Sequence, residues 1–227
     1  MTSMSESGQY GRLAGRFAAT TAVAALLFAG SACARSENTF DTIRQLTVET
    51  HPSQGDVTMI EGSRAQLKAT EEGIFARLET SQLSPGHVLT MWVVVINNPA
   101  ACESSPCTAK DIFARTSEVL ADVVYGDGII VDSDGRGTFT AFQERGPLDG
   151  GWLGSDLTNP MGAEVVLVVN DHGPLIEGEE ADMLTSYRGG CTEASIPGPF
   201  PATARALGKP GPNTCRLVQV AHFVPAN

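Results

Sequence analysis

His87–Asn97 reads HVLTMWVVVIN, a run rich in β-branched residues and apolar on both of its alternating faces. A strand with one wet face alternates apolar and polar side chains, so a run like this one is a strand covered on both sides. Ser84-Pro85-Gly86 before it and Asn98-Pro99 after it are turn residues that fix its ends. Ala163–Asn170, AEVVLVVN, has the same two-faced character. Two such strands require a fold in which a sheet is buried above and below.

The flanking sequence supplies half-buried partners. Ala65, Leu67 and Ala69 alternate with Arg64, Gln66 and Lys68, and Ile74, Ala76 and Leu78 alternate with Arg77 and Glu79. Glu71-Glu72-Gly73 between them makes a hairpin. Three further short runs follow, Val119–Tyr125, Ile129–Asp132 and Thr138–Gln143, with turns expected at Gly126-Asp127-Gly128 and Ser133-Asp134-Gly135. Residues 109–121 fit either a short helix or an irregular crossover. Gly146–Gly162 and Asp171–Thr214 are rich in Gly, Pro, Asp and Asn and read as long loops. Arg216–Val224 closes the chain as a strand. About eight strands with little helix indicate an all-β antiparallel sandwich with long loops.

The first residues belong to a different grammar. Arg12 and Arg16 precede the apolar run Phe17–Gly30, and Ala32-Cys33-Ala34 is an A-x-A exit. That is the layout of a secretory signal peptide, with an apolar run too short for a membrane span of about 20 residues. The expected organisation is a signal peptide over 1–34, a tether or added N-terminal strand over 35–57, and a β-sandwich over 58–227. Cys33 offers an alternative, a lipid anchor on the new N-terminus, although Gly30 stands where lipoprotein signals usually carry Leu. The expected location is secreted or periplasmic, with no transmembrane span in the mature protein.

The whole chain of 227 residues carries a formal charge of −11. Residues 1–34 hold Glu6, Arg12 and Arg16, a net +1, so the remainder carries −12. No basic stripe offsets this, and such a surface repels phosphate backbones; nucleic acid is excluded as a partner. Four cysteines remain beyond residue 34, an even set that in an oxidising compartment points to disulfides. Four cysteines allow three connectivities, and local pairing is the simplest: Cys102–Cys107 and Cys191–Cys215.

Pro85-Gly86-His87 through Trp92, Asn97-Asn98-Pro99 and Cys102…Pro106-Cys107 resemble the signature of a family of uncharacterised secreted bacterial β-sandwich proteins. Gly162-Ala163-Glu164, Asp171-His172-Gly173-Pro174, Cys191, Cys215 and Gln219-Val220-Ala221-His222 resemble its later blocks. The resemblance spans roughly residues 60–225 and implies the sandwich but no activity. The chain is more distantly similar to chordin-type domains and Cu/Zn superoxide dismutase sandwiches. His87 is followed by Val88-Leu89-Thr90 rather than an H-x-H pair, so dismutase chemistry does not carry over.

Common catalytic signatures are absent: no G-x-S-x-G, no H-E-x-x-H, no phosphate loop. Trp152, in the Gly-rich loop GGWLGS, is the aromatic best placed for exposure, set against the role of a plug over the sandwich; Trp92 reads as core. Two functional classes follow. One is a non-catalytic interaction or binding domain for a protein or small ligand. The other is a metal-binding protein or metalloenzyme in which His87, His172 and His222 converge on one Zn²⁺ or Cu²⁺, leaving an open position. His222 alternates onto the face of Val218, Val220 and Val224, and His87 can meet His172 only if their strands run antiparallel.

Overall fold

The computed structural model describes residues 43–225. The expected signal peptide over 1–34, with its A-x-A exit and Cys33, lies outside the described residues. Nine strands appear among them: β1 (Arg44–Leu46), β2 (Glu49–Thr50), β3 (Arg64–Ala69), β4 (Gly73–Thr80), β5 (His87–Ile96), β6 (Ala121–Ile130), β7 (Gly137–Glu144), β8 (Glu164–Pro174) and β9 (Arg216–Phe223). They form two antiparallel sheets, β1-β3-β4-β7 and β2-β9-β8-β5-β6. The protein is an all-β sandwich.

The two-faced strands sit where their sequence requires. β5 lies between β8 and β6 in the five-stranded sheet. Its inner residues Leu89, Met91, Val93 and Val95 pack with Leu67, Ile74, Leu78 and Phe139 of the opposing sheet. Its outer residues Trp92, Val94 and Ile96 belong to a second apolar cluster, with Val166 of β8, Val123 of β6 and the loops that cover them. β8 divides in the same way: Val165, Leu167 and Val169 face inward, and Val166 faces outward. Each fully buried side chain of this size is worth roughly 1.5–3 kcal/mol relative to exposure, so neither face can be left wet.

Three short helices lie in the connections: α1 (Ala109–Ala114), α2 (Thr116–Val119) and α3 (Glu180–Thr185). Asp111 anchors α1 through a buried carboxylate, which accepts from Glu103 N at 2.7 Å, Thr108 N at 2.9 Å and Thr108 Oγ1 at 2.9 Å. Those backbone donors hold its pKa down at about 2. The two disulfides are Cys102–Cys107 and Cys191–Cys215, the local pairing that the spacing suggests. Among the described residues no helix is long and apolar enough to cross a membrane.

One expected turn is absent. Gly126-Asp127-Gly128 does not reverse the chain; β6 runs straight through it. Met91 pairs with Asp127 and Trp92 with Tyr125, leaving Gly126 as the extra residue of a β-bulge. A Cβ on Gly128 would stand 2.1 Å from the Leu184 carbonyl oxygen of α3. These glycines are there for a bulge and a close approach rather than for a turn. Ser133-Asp134-Gly135, by contrast, turns as expected, with Gly135 at φ +70.

Residues 44–50 add a strand to each sheet, β1 beside β3 and β2 beside β9.

Candidate functional site

The outer face of the five-stranded sheet is roofed by loops, and between floor and roof lies a cavity of about 580 Å³. Val94, Val166, Val168 and Val220 make its floor. Phe113, after the Cys102–Cys107 loop, and Phe200, inside the Cys191–Cys215 loop, cover it with rings 4.9 Å apart. Trp92, Trp152 and Tyr187 form a wall: Trp152 stands 4.7 Å from Trp92 and 5.1 Å from Tyr187, ring centre to ring centre. Cavities that hold small molecules run to roughly 300–1,000 Å³, mostly apolar with a few placed polar groups.

Polar ties behind the wall hold its segments in place. Trp92 Nε1 donates to Thr90 Oγ1 at 2.9 Å. The Thr90 hydroxyl meets His172 Nε2 at 2.8 Å, and His172 Nδ1 meets the Gly189 carbonyl at 2.8 Å. A carbonyl only accepts, so the His172 proton sits on Nδ1 and Nε2 accepts from Thr90. The relay ties the sheet to the backbone two residues beyond Tyr187. Complete burial pushes the His172 pKa below its ordinary value, which keeps the ring neutral.

Trp152 is placed by Asp122, which sequence reasoning missed. The Asp122 carboxylate is buried and accepts from Leu153 N and Ser155 N, each at 2.9 Å. Gly151 is required beside it, since a Cβ there would lie 2.6 Å from Asp122 Oδ2. Trp152 is 7 % exposed, so it plugs the outer sheet face and is not an exposed platform. Trp92 is buried as expected, though in the outer layer rather than between the sheets.

His222 lies on the cavity floor with Val220, as alternation along β9 requires. Its Nε2 donates to Glu164 Oε1 at 2.5 Å, and the same oxygen accepts from Cys107 N at 2.7 Å. The floor is thereby tied to the first disulfide loop. Val218 does not share this face. A bulge opposite Val169–Asn170 turns it toward the inner core. His51, in a segment whose sequence carries no strand or site pattern, lines the cavity beside Ser53. Its Nδ1 accepts from Ser53 N at 3.1 Å. The ring proton is therefore on Nε2, and burial lowers the pKa.

The three histidines expected to share a metal ion do not converge. β5 and β8 are antiparallel, which brings His87 to the end of β8 that carries His172. His87 Nδ1, however, bonds the Asp171 carboxylate at 2.9 and 3.1 Å. Asp171 and His172 are successive strand residues and point to opposite faces. His222 pairs with Val166, six residues from His172, which is roughly 20 Å along a strand. Ligands at about 2.0–2.1 Å from one ion cannot be so arranged. The Zn²⁺ or Cu²⁺ site expected from His87, His172 and His222 is not built, because each ring is consumed by a separate structural tie.

A different trio does lie together. His172, Cys191 and Cys215 place one potential ligand atom each within 4.8 Å of one another. The two sulfurs are bonded to each other and offer no thiolate, while His172 Nδ1 carries the proton given to Gly189. This cluster is a structural staple.

No known protein-family profile, no curated protein and no solved structure matches the chain. The functional reading rests on the cavity.

Proposed function

We propose that the protein is an exported, non-catalytic binding domain that takes a small, largely apolar molecule into the cavity over the five-stranded sheet. The observation that carries this reading is the cavity itself: about 580 Å³, floored by valines and walled by Trp92, Trp152 and Tyr187. The segment that follows the Cys102–Cys107 bridge and the loop closed by Cys191–Cys215 cover it. Export is supported by the signal-peptide layout of residues 1–34 and by disulfides that suit an oxidising compartment. Membership of the secreted bacterial sandwich family that the chain resembles fits the same reading, and a Cys33 lipid anchor is its variant.

Binding is favoured over catalysis by the state of the polar groups. Ser53 Oγ lies 2.8 Å from His51 Nδ1, which superficially suits a nucleophile and its base. That nitrogen already caps the Ser53 backbone N–H, and Nε2 has no carboxylate to orient it among the described residues. A nucleophile–base pair needs such a third group.

The test is titration of the disulfide-intact protein with N-phenyl-1-naphthylamine, an uncharged apolar fluorophore. Saturable one-to-one enhancement is expected in the wild type, with loss in Val168→Trp, which fills the cavity from its floor. Absence of saturable binding, or equal binding by a folded Val168→Trp protein, overturns the reading.

A further inference from the structure

The cavity walls carry hydrogen-bond donors that bond nothing. Tyr187 is 4 % exposed and Trp152 7 % exposed, and both line the cavity. Neighbouring aromatic polar groups are committed: Trp92 Nε1 to Thr90, and Tyr125 Oη to the Leu184 carbonyl at 2.8 Å. Among the described residues the Tyr187 hydroxyl and Trp152 Nε1–H have no such partner. Nor are they sealed away, since the fully enclosed orphan side-chain atoms are Arg44 Nη2 and Asn170 Oδ1. Both groups therefore keep some exposure, and the space that both side chains line is the cavity. His51, half-buried in the cavity lining, adds a third donor, because its Nδ1 is taken by Ser53 N and its proton stands on Nε2.

Unpaired donors in an apolar cavity demand an acceptor. The charge of that acceptor is constrained by what surrounds it. Among the described residues no lysine or arginine lines the cavity. Arg205, the cation whose field reaches the Tyr187 hydroxyl, is engaged by the Phe200 and Ile196 carbonyls and by Glu193. Glu49 lines the cavity, and the Glu164 carboxylate lies behind His222. The protein as a whole carries −11. An anionic ligand would meet uncompensated negative charge in a low-dielectric site. The flat walls of Trp92, Trp152 and Phe200 suit a ring system that can stack or meet their edges.

We infer that the ligand is an uncharged aromatic molecule bearing an oxygen acceptor such as a carbonyl, received by the Tyr187 hydroxyl and the Trp152 indole N–H. This inference rests on the binding function proposed above and names its ligand class. A carbonyl oxygen accepts up to two hydrogen bonds, and the two donors are carried on neighbouring wall residues whose ring centres are 5.1 Å apart.

Displacement of bound N-phenyl-1-naphthylamine tests it with three probes of one ring size: naphthalene, 2-acetylnaphthalene and 2-naphthoate. The ketone should bind roughly 5–30-fold more tightly than naphthalene, the net value of one to two neutral hydrogen bonds. The naphthoate should bind more weakly than the ketone. In Tyr187→Phe, which removes a hydroxyl that supports nothing in the fold, the ketone-to-naphthalene ratio should fall to within a few-fold of unity. Trp152→Phe, which removes the other donor, should reduce the ratio independently. Equal binding of ketone and naphthalene by the wild type, a ratio unchanged in both variants, or tighter binding of naphthoate overturns the inference. Failure of the fluorophore to bind at all is the separate failure of the binding reading.

Discussion

Replacing Cys191 and Cys215 together by alanine should loosen the cavity roof while sparing the sandwich. The bridge closes a sequence separation of 24 residues, and loop-closure entropy for that length is about 11–12 cal/mol/K, or roughly 3.5 kcal/mol at 25 °C. The Cys102–Cys107 bridge closes a separation of 5, for which the same relation gives roughly 2 kcal/mol. The longer bridge is also the deeper one, with Cys191 fully buried and Cys215 nearly so, so its loss leaves a small void as well. Three backbone bonds beside it survive: Thr192 N to Asn213 O at 2.8 Å, Gly211 N to Cys191 O at 2.9 Å and Asn213 N to Gly190 O at 3.0 Å. They keep the base of the loop in place, but Pro197, Pro199 and Phe200, which line the cavity, lie well inside it. Urea denaturation of both double variants should show the larger loss, about 3–4 kcal/mol, for the 191–215 pair, a substantial part of the roughly 5–15 kcal/mol by which domains are stable. N-phenyl-1-naphthylamine should bind that variant at least tenfold more weakly, with the far-ultraviolet spectrum of the sheets retained. A greater loss on removing Cys102–Cys107, or wild-type affinity in a protein lacking Cys191–Cys215, would refute the reasoning.

Stability should decline as pH falls below about 6.5, because burial lowers the pKa of His172 and the unfolded chain then binds the extra proton. Its contribution is complete above the unfolded pKa and is lost as pH falls toward the folded value, at up to about 1.4 kcal/mol per pH unit for one site. His51 shifts in the same direction. Urea midpoints between pH 7.5 and 5 should show a shallower slope in His172→Gln, and an unchanged slope would remove His172 as the cause. Gly128→Ala should destabilise by about 1–3 kcal/mol, the usual cost of overpacking, because its Cβ meets the Leu184 carbonyl at 2.1 Å. Gly126→Ala, whose nearest contacts are 3.0–3.2 Å, should cost less; the reverse order in thermal melts would contradict the packing of α3 on β6.

Periodicity determined the sandwich. The two-faced runs of β5 and β8 and the alternating hairpin of β3 and β4 are readable because pleating puts successive residues on opposite faces whatever the tertiary context. The short spacing of Cys102 and Cys107 and the turn at Ser133–Gly135 are local in the same sense. What lies beyond local geometry was not readable. Gly126-Asp127-Gly128 has the composition of a turn, and only the pairing of Met91 and Trp92 across the sheet makes it a bulge. Apolarity on both faces of β5 says that each is covered, but not that one cover is a sheet and the other a pair of loops with space beneath them. His87, His172 and His222 look alike in sequence, yet Asp171, Gly189 and Glu164 claim them separately. The cavity joins Trp92, Trp152, Tyr187 and His51 from four separate stretches of chain. Strand order and register bring them together, and the hydroxyl of Tyr187 and the indole N–H of Trp152 are left free because, among the described residues, the tertiary packing that buries their rings provides no acceptor.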